Sequence, residues 1–488
     1  MLATAERGET MGSEKKLGLL PMVAAILAGM IGSGVYDIAY QLGTVTSPGG
    51  AIVAWAVCFV GMLLFVLSLQ NLLQKEPGGD GMFCYAQKLF GPLGEFMSAW
   101  GYWISGWVGN IAFATMMMMI ALGTFFPVLG DTGTSWGSIA IASAFMWLMF
   151  LLISKGVENA MILNAAVTVV KIIPLVVFIG VTVFFFNFDI FATDFWSNFA
   201  GNVDLGQGFD LGSVFGQVTD SMLSIIWLFM GVESAALMSK RAKSKAVASK
   251  ASIIGLFVGT ALLFICAMIP YGLMSAEEFV ALGEPSIGKI LELYVGPIAA
   301  QLVEACIIIS IAGAWLAYTI MPTESTHILA DDPLLPARWG KTNQNGTAMF
   351  SLFVTTLLAQ LLLITMHFTE DAYNFGFSLS SSAILVTWVM ITAYNTVRSI
   401  KHPEEQGRVR NIIIGAVGTL YMLYAMFVSG IEYIMLLSIP FLIGVVFLYQ
   451  ARKEAGLEKV FNTKEIIAIV VLAVFAAVSL TMFVMGMV

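Results

Sequence analysis

The sequence predicts an all-α polytopic membrane protein of about thirteen spans, and three observations carry that reading. The 488-residue chain is 59% hydrophobic and only 11% charged, whereas a soluble domain is nearer half apolar and about a quarter charged. Apolar stretches of about 20 residues recur along it, the length that crosses a hydrocarbon core of roughly 30 Å. Two of these stretches are interrupted by small residues: Gly32-Ser33-Gly34 in the first, and Gly231 with Glu233-Ser234 in the sixth. A helix in lipid cannot leave backbone N–H and C=O groups unpaired, so unwinding at mid-membrane is tolerated only beside a protein-lined cavity. Two such breaks, five segments apart, point to inverted repeats with substrate held between them, the plan of a secondary transporter.

Taken in order, the spans are expected at 17–41, 50–73, 93–120, 136–154, 158–186, 212–239, 250–274, 290–321, 347–367, 375–396, 411–429, 431–450 and 464–486. Spans one to five (17–186) form the first repeat and spans six to ten (212–396) the second, with three helices over 411–486 appended and a polar segment, 1–16, in front. Basic residues test the count. Arg7, Lys15 and Lys16 precede the first span, and alternate loops carry Lys75 and Lys88; Lys155; Lys240, Arg241, Lys243, Lys245 and Lys250; Arg338 and Lys341; Arg398 to Arg410; and Arg452 to Lys464. The opposite loops are acidic, with Asp131, Asp189, Glu284, Glu370 and Asp371 among them, and only Lys171 and Lys289 depart from the pattern. The positive-inside rule therefore places the N-terminus in the cytoplasm and the C-terminus outside. No signal-peptide pattern is expected to be cleaved from the start. Cys58, Cys84, Cys266 and Cys306 lie in or beside apolar stretches at unrelated spacings and are expected to be reduced core thiols.

The breaks supply the chemistry. A half-helix beginning after a break presents free N–H groups and a positive dipole end, an anion site; at Gly32–Val35 that site suits a carboxylate. The opposite ends expose carbonyls, which suit an ammonium group. Asp37 follows one turn after Ser33 and either pairs with a cationic substrate or complements the dipole of its half-helix. Glu233 at mid-membrane is costly unless paired or facing water, and is either a gate or a helix cap. Lys171, the one basic residue deep in a span, either takes part in ion coupling or ties two helices together. Glu324 either lines an exit path or reaches to the interface. No catalytic group, metal site or cofactor is expected: the three histidines lie in separate segments, and no Gly-rich phosphate loop is present. The partners expected are small amino acids and amines and the lipid bilayer, with no nucleic acid.

The segments GLLPMVAAILAGMIGSGVYDIAY (18–40), SAWGYWISGWVGNIAF (98–113), WLFMGVESAA (227–236) and WLAYTIMPTESTHILADDPLLP (315–336) resemble the amino acid–polyamine–organocation superfamily. They are most similar to its basic amino acid/polyamine antiporter branch, with its arginine/ornithine and arginine/agmatine exchangers. The resemblance implies a LeuT-like 5+5 inverted repeat and alternating-access exchange of a basic amino acid for its metabolic product in a bacterial inner membrane, in a chain that forms a homodimer in some relatives. It places the substrate against Met30, Ser33 and Gly34 of the first span, where Ile31, Gly32 and Asp37 (a position at which many relatives have an apolar or amide residue) are expected to join them, and against Ser105, Gly106 and Asn110 of the third. Trp227 and Met230 of the sixth span complete the set, with Trp227 as an occluding lid. Tyr102 and Glu233 would form an inner gate, and Lys171 would stand where sodium-coupled relatives bind the ion. At the stacking position of the eighth span, a Trp in the arginine/agmatine relative, this chain has Tyr318, with Trp315 one turn away. Arginine/ornithine, histidine/histamine, lysine/cadaverine and agmatine/putrescine all remain open as pairs, the last fitting least because neither partner has a carboxylate. A proton-coupled importer and a channel or sensor using the same pocket are the alternatives.

Overall fold

A computed structural model describes residues 16–76, 82–129, 133–199, 203–204, 208–237, 239, 242–369 and 371–485. Arg7, Lys15, Asp131, Lys240, Arg241 and Glu370, used above for topology, lie outside the described residues. Among the described residues, twelve helices are long and apolar enough to cross a membrane. The first expected span is not among them because it is broken. It runs as a helix over Leu19–Met30, a single tight turn over Gly34–Tyr36 and a short helix over Ile38–Gly43. The sixth stops at Phe229, the C-terminal end of the helix Leu211–Phe229, and resumes only at Ser234–Leu237. The fold is thus an all-α membrane architecture with interruptions where the glycine motifs placed them.

Two spans depart from expectation. The eighth, expected over 290–321, is two helices: Ser286–Val295 and the long Pro297–Asp331. Gly296 between them sits at φ 80° with Pro297 opening the next helix, a pairing that ends one helix and starts another. The long helix then continues through Pro322 for about three turns past the expected end. The third span, Cys84–Phe125, contains a break of its own, since Gly91 lies at φ 73° immediately before Pro92. Outside the spans, a two-residue antiparallel pair joins Asn198–Phe199 to Val203–Asp204.

The third span is the centre of the molecule, packing along the eighth span and along the tenth, Ala372–Lys401. Small residues make this close approach possible, as in membrane helix pairs generally. A Cβ on Gly101 would lie 3.0 Å from the Ala383 carbonyl oxygen, and one on Gly109 2.9 Å from Ser380 Oγ. Side chains such as Leu148 and Leu151 on the fourth span (Trp136–Ser154) remain exposed at 60% and 54%, as a lipid-facing surface requires. On the side of the basic loops, Arg398 closes the bundle: its guanidinium donates to both carboxylate oxygens of Glu405 at 2.8 and 2.7 Å and to Glu76 at 2.9 Å, tying the second span, Pro48–Lys75, to the tenth.

Candidate functional site

The two breaks touch. A Cβ on Gly29 would sit 3.0 Å from Gly231 Cα and 3.1 Å from Ser234 Oγ, and Gly231 itself has φ 103°, a conformation that side chains other than glycine's rarely adopt. After the first break the chain turns tightly: Tyr36 N donates to Ser33 O at 3.0 Å and Asp37 N to Gly34 O at 3.1 Å. The amides from Ser33 to Val35 stand at the start of this turn, the position where a helix leaves N–H groups without intrahelical partners.

Beside those donors stand four aromatic rings. Trp227 lies 5.5 Å from Phe113, 6.1 Å from Tyr318 and 6.2 Å from Phe377, with Phe113 and Tyr318 edge to face at 4.9 Å. Gly34 is pressed against Trp227, whose Cδ1 would be 2.5 Å from an added Cβ. Gly29, Met30, Gly32, Gly34, Phe113, Trp227 and Tyr318 enclose a cavity of only ≈10 Å³, room for about one water. A second cavity of the same size lies on the other side of Tyr318, lined by Tyr102, Ser105, Gly106, Met230, Glu233 and Ile384 among others. The centre is narrow, and Tyr318 lines both chambers.

Most of the expected residues converge here. Met30, Gly32, Gly34, Trp227 and Tyr318 line the first chamber, while Tyr102, Ser105, Gly106, Met230, Glu233 and Tyr318 line the second. Ile31 and Ser33 are fully buried at the turn. Glu233 curls back so that its carboxylate accepts from Gly231 N at 3.1 and 3.3 Å, a cap on the broken sixth span that also faces Tyr102. Asn110 donates to Thr319 Oγ1 at 3.2 Å, while its Oδ1 is buried with no hydrogen-bond partner among the described residues. Buried polar atoms are rarely left so. Trp315 is turned away from both chambers and packs on Phe145 at 5.5 Å; Tyr318 takes the inward position.

Asp37 is placed differently. It is fully buried but lines neither chamber. Its Oδ1 accepts from Ser286 N at 3.3 Å and its Oδ2 from Gln41 Nε2 at 2.9 Å. Gln41 Nε2 also donates to Glu284 Oε1 at 2.7 Å. The carboxylate therefore ties the first span to the loop ahead of Ser286–Val295. Glu284, in that loop, is pushed up from its ordinary 4.5 to about 7, by burial first and by the Asp371 carboxylate second.

Lys171 is fully buried in the fifth span, Val157–Thr182, and its ammonium donates to Ala28 O at 2.9 Å. The hydroxyl of Tyr36 donates to Ser310 Oγ at 2.7 Å and to Lys171 O at 3.3 Å. Both halves of the first span are thus anchored to one turn of the fifth.

Reading the sequence missed Phe113, Phe377 and Thr319, which complete the aromatic and polar wall, and the serines of the tenth span. Ser380 donates to Ser105 O at 2.7 Å, and Ser381 Oγ lies 3.7 Å from Met230 Sδ. The run Ser378-Leu379-Ser380-Ser381-Ser382 inside an apolar helix was the available signal.

Comparison with known proteins agrees with this geometry. Residues 17–432 match the amino acid permease family. The chain is 35% identical over 472 residues to the arginine/ornithine antiporter of Latilactobacillus sakei, covering 97% of this chain and 98% of that one. It is 30% identical to the arginine/ornithine antiporter of Pseudomonas aeruginosa, covering 91% and 92%, and 29% identical to the arginine/agmatine antiporter of Chlamydia caviae, covering 96% and 97%. A helical membrane chain whose broken first and sixth spans meet at an aromatic-walled centre, and which shares this sequence over nearly its whole length, belongs to the amino acid permease family.

Proposed function

We propose that the protein exchanges a basic amino acid for its metabolic product, with arginine and ornithine the leading pair, by alternating access. The observation that carries this is the junction of the two breaks, where the turn beginning at Gly34 lies against Trp227, itself packed on the Phe113 and Tyr318 rings. Amides take the α-carboxylate, and rings take a cation or its aliphatic stem. Met30, Ile31, Gly32, Ser33 and Gly34 shape the carboxylate end. Asn110 Oδ1 offers a buried acceptor for a donor of the substrate, with Ser105 and Gly106 setting the third-span wall. Met230 and Trp227 close the site from the sixth span, and Tyr102 with Glu233 forms the inner gate at the second chamber, with Tyr318 between it and the first.

The narrow centre, two chambers of ≈10 Å³ each, suits a carrier, because alternating access passes through a state open to neither side. Rather than reaching substrate, Asp37 acts in this reading through Gln41 and Glu284 as part of an outer closure. The Lys171 ammonium, seated on Ala28 O, fills a position where a cation would otherwise bridge the first and fifth spans, so transport proceeds without Na⁺. The basic loops lie in the cytoplasm with the N-terminus, in a bacterial inner membrane, and the C-terminus lies outside. The repeats divide as 17–186 and 212–396, with the helices over 411–486 outside them. Counterflow in proteoliposomes tests the proposal: internal ornithine should drive uptake of labelled arginine, and uptake that is unaffected by any internal amino acid or amine would refute exchange.

A further inference from the structure

A large cavity lies away from the transport centre, beside the thirteenth span, Thr463–Val484. That helix is held at its start by a closed ion pair. Arg452 donates to Glu465 through both terminal nitrogens, at 3.0 and 2.8 Å, and the guanidinium lies 5.2 Å from the Phe461 ring centroid. Glu465 also accepts from Asn462 N at 2.9 Å and from the Leu93 backbone just past the break at Gly91. Arg452 and Glu465 are 5% and 6% exposed, so the pair is self-contained and its charges cancel.

Beyond this anchor the helix stands off the third span and leaves a cavity of ≈610 Å³, within the roughly 300–1,000 Å³ range of ligand pockets. The break at Gly91 opens it, since nothing lies within 4 Å of where a Gly91 Cβ would be. Its long walls are apolar, with Phe90, Met97, Ile469 and Leu472 among them, and its polar end holds Asn462, Lys464 and Glu465, whose carboxylate is already neutralised by Arg452. Lys464 is exposed and has no ion pair among the described residues. It belongs to the set of basic residues that share one membrane side, so the cavity runs from that surface into the depth of the bilayer.

We propose that this cavity is a binding site for one anionic phospholipid. An acyl chain lies along Met97, Ile469 and Leu472, and the phosphate is held by the Lys464 ammonium and the Asn462 side-chain amide. The complementarity is twofold: hydrocarbon walls at membrane depth, and a single uncompensated cation at the headgroup level, the arrangement by which basic pockets between spans select acidic lipids. Bound there, the lipid fills the space between the thirteenth span and the third, which the Leu93–Glu465 contact joins at one end.

The test uses the full chain purified from membranes and reconstituted in nanodiscs containing phosphatidylglycerol and phosphatidylcholine. Lipid retained after re-extraction and gel filtration is counted by mass spectrometry. Wild type should retain about one phosphatidylglycerol per chain, preferred over phosphatidylcholine by about fivefold, the effect of one Lys at an acidic headgroup. Lys464→Gln should abolish that preference, and Ala468→Trp, which fills the cavity, should lose the lipid. Val474→Trp, on an exposed stretch of the same helix, serves as the control and should change neither. Equal retention of the two lipids by wild type, or retention unchanged in both Lys464→Gln and Ala468→Trp with normal gel-filtration profiles, would overturn the proposal. So would displacement by excess inorganic phosphate, which would mark a site for a free anion, or loss of a dimer in step with Ala468→Trp, which would mark a surface for a second copy.

Discussion

Adding one methyl group at Gly34 separates a tight packing contact from a working part of the transport cycle. A Cβ there would lie 2.5 Å from Trp227 Cδ1, 2.9 Å from its Nε1 and 3.0 Å from Leu228 Cδ2. Carbon atoms rest about 3.5–4.0 Å apart, so in Gly34→Ala the indole must retreat by about 1 Å. The backbone itself accepts alanine, because Gly34 is not among the glycines at positive φ. The whole cost therefore falls on the state in which the lid is closed over the first break. Overpacking of this kind costs about 1–3 kcal/mol, which corresponds to a loss of about 5- to 150-fold in the population of that state. The assay is the initial rate of arginine/ornithine counterflow in proteoliposomes, normalised to inserted protein, with monodispersity checked by gel filtration. Adding Trp227→Phe to Gly34→Ala should recover part of the rate, because the smaller ring leaves room, and the double-mutant cycle should show coupling beyond additivity. If Gly34→Ala exchanges at the wild-type rate with Trp227 in place, the lid does not close against the first break and the assignment fails.

Trp227→Ala should remove the ring contacts with Phe113, Tyr318 and Phe377 and abolish most turnover, with Trp227→Phe intermediate; full exchange in the alanine variant would return Trp227 to simple core packing. Lys171→Ala should lose the bond to Ala28 O, a charge-assisted contact contributing about 1.5–3 kcal/mol, and should be impaired in sodium-rich and sodium-free buffer alike, while wild type runs equally in both; a steep Na⁺ requirement in wild type would refute the coupling role. Glu284, raised from 4.5 to about 7, keeps its proton in the closed outer loop at pH values where a free carboxyl has lost it. Closure is therefore most stable in acid and weakens as pH rises from about 4.5 toward 7. The groups facing it are Asp371, Asp37, Lys289, Gln41 and Asn374. Labelling of a cysteine introduced at Thr44 should quicken across that range in wild type and become insensitive to pH in Glu284→Gln; an unchanged profile would remove Glu284 from the closure.

What could be read from the sequence followed from whether its cause is local. The breaks at Gly32–Gly34 and Gly231 were visible because glycines interrupt apolar runs, and the alternation of basic loops gave the spans because each loop carries its own signal. The division at Gly296 was hidden because both flanking segments, Ser286–Val295 and the start of Pro297–Asp331, are apolar enough to read as one span. The role of Asp37 was illegible for a different reason. Its partner Ser286 lies 249 positions away and Glu284 reaches it through Gln41, and nothing near Asp37 announces them. Tyr318 and Trp315 are three residues apart on one helix, so only its rotation against the fourth span decides which ring faces the centre.

Exchange by way of the joined breaks is the central claim, and counterflow tests it most directly. Proteoliposomes loaded with unlabelled ornithine and diluted into labelled arginine should accumulate label transiently above equilibrium, whereas empty liposomes should take up almost none. Equal uptake with and without internal ornithine, or with Gly34→Val indistinguishable from wild type, would contradict the account.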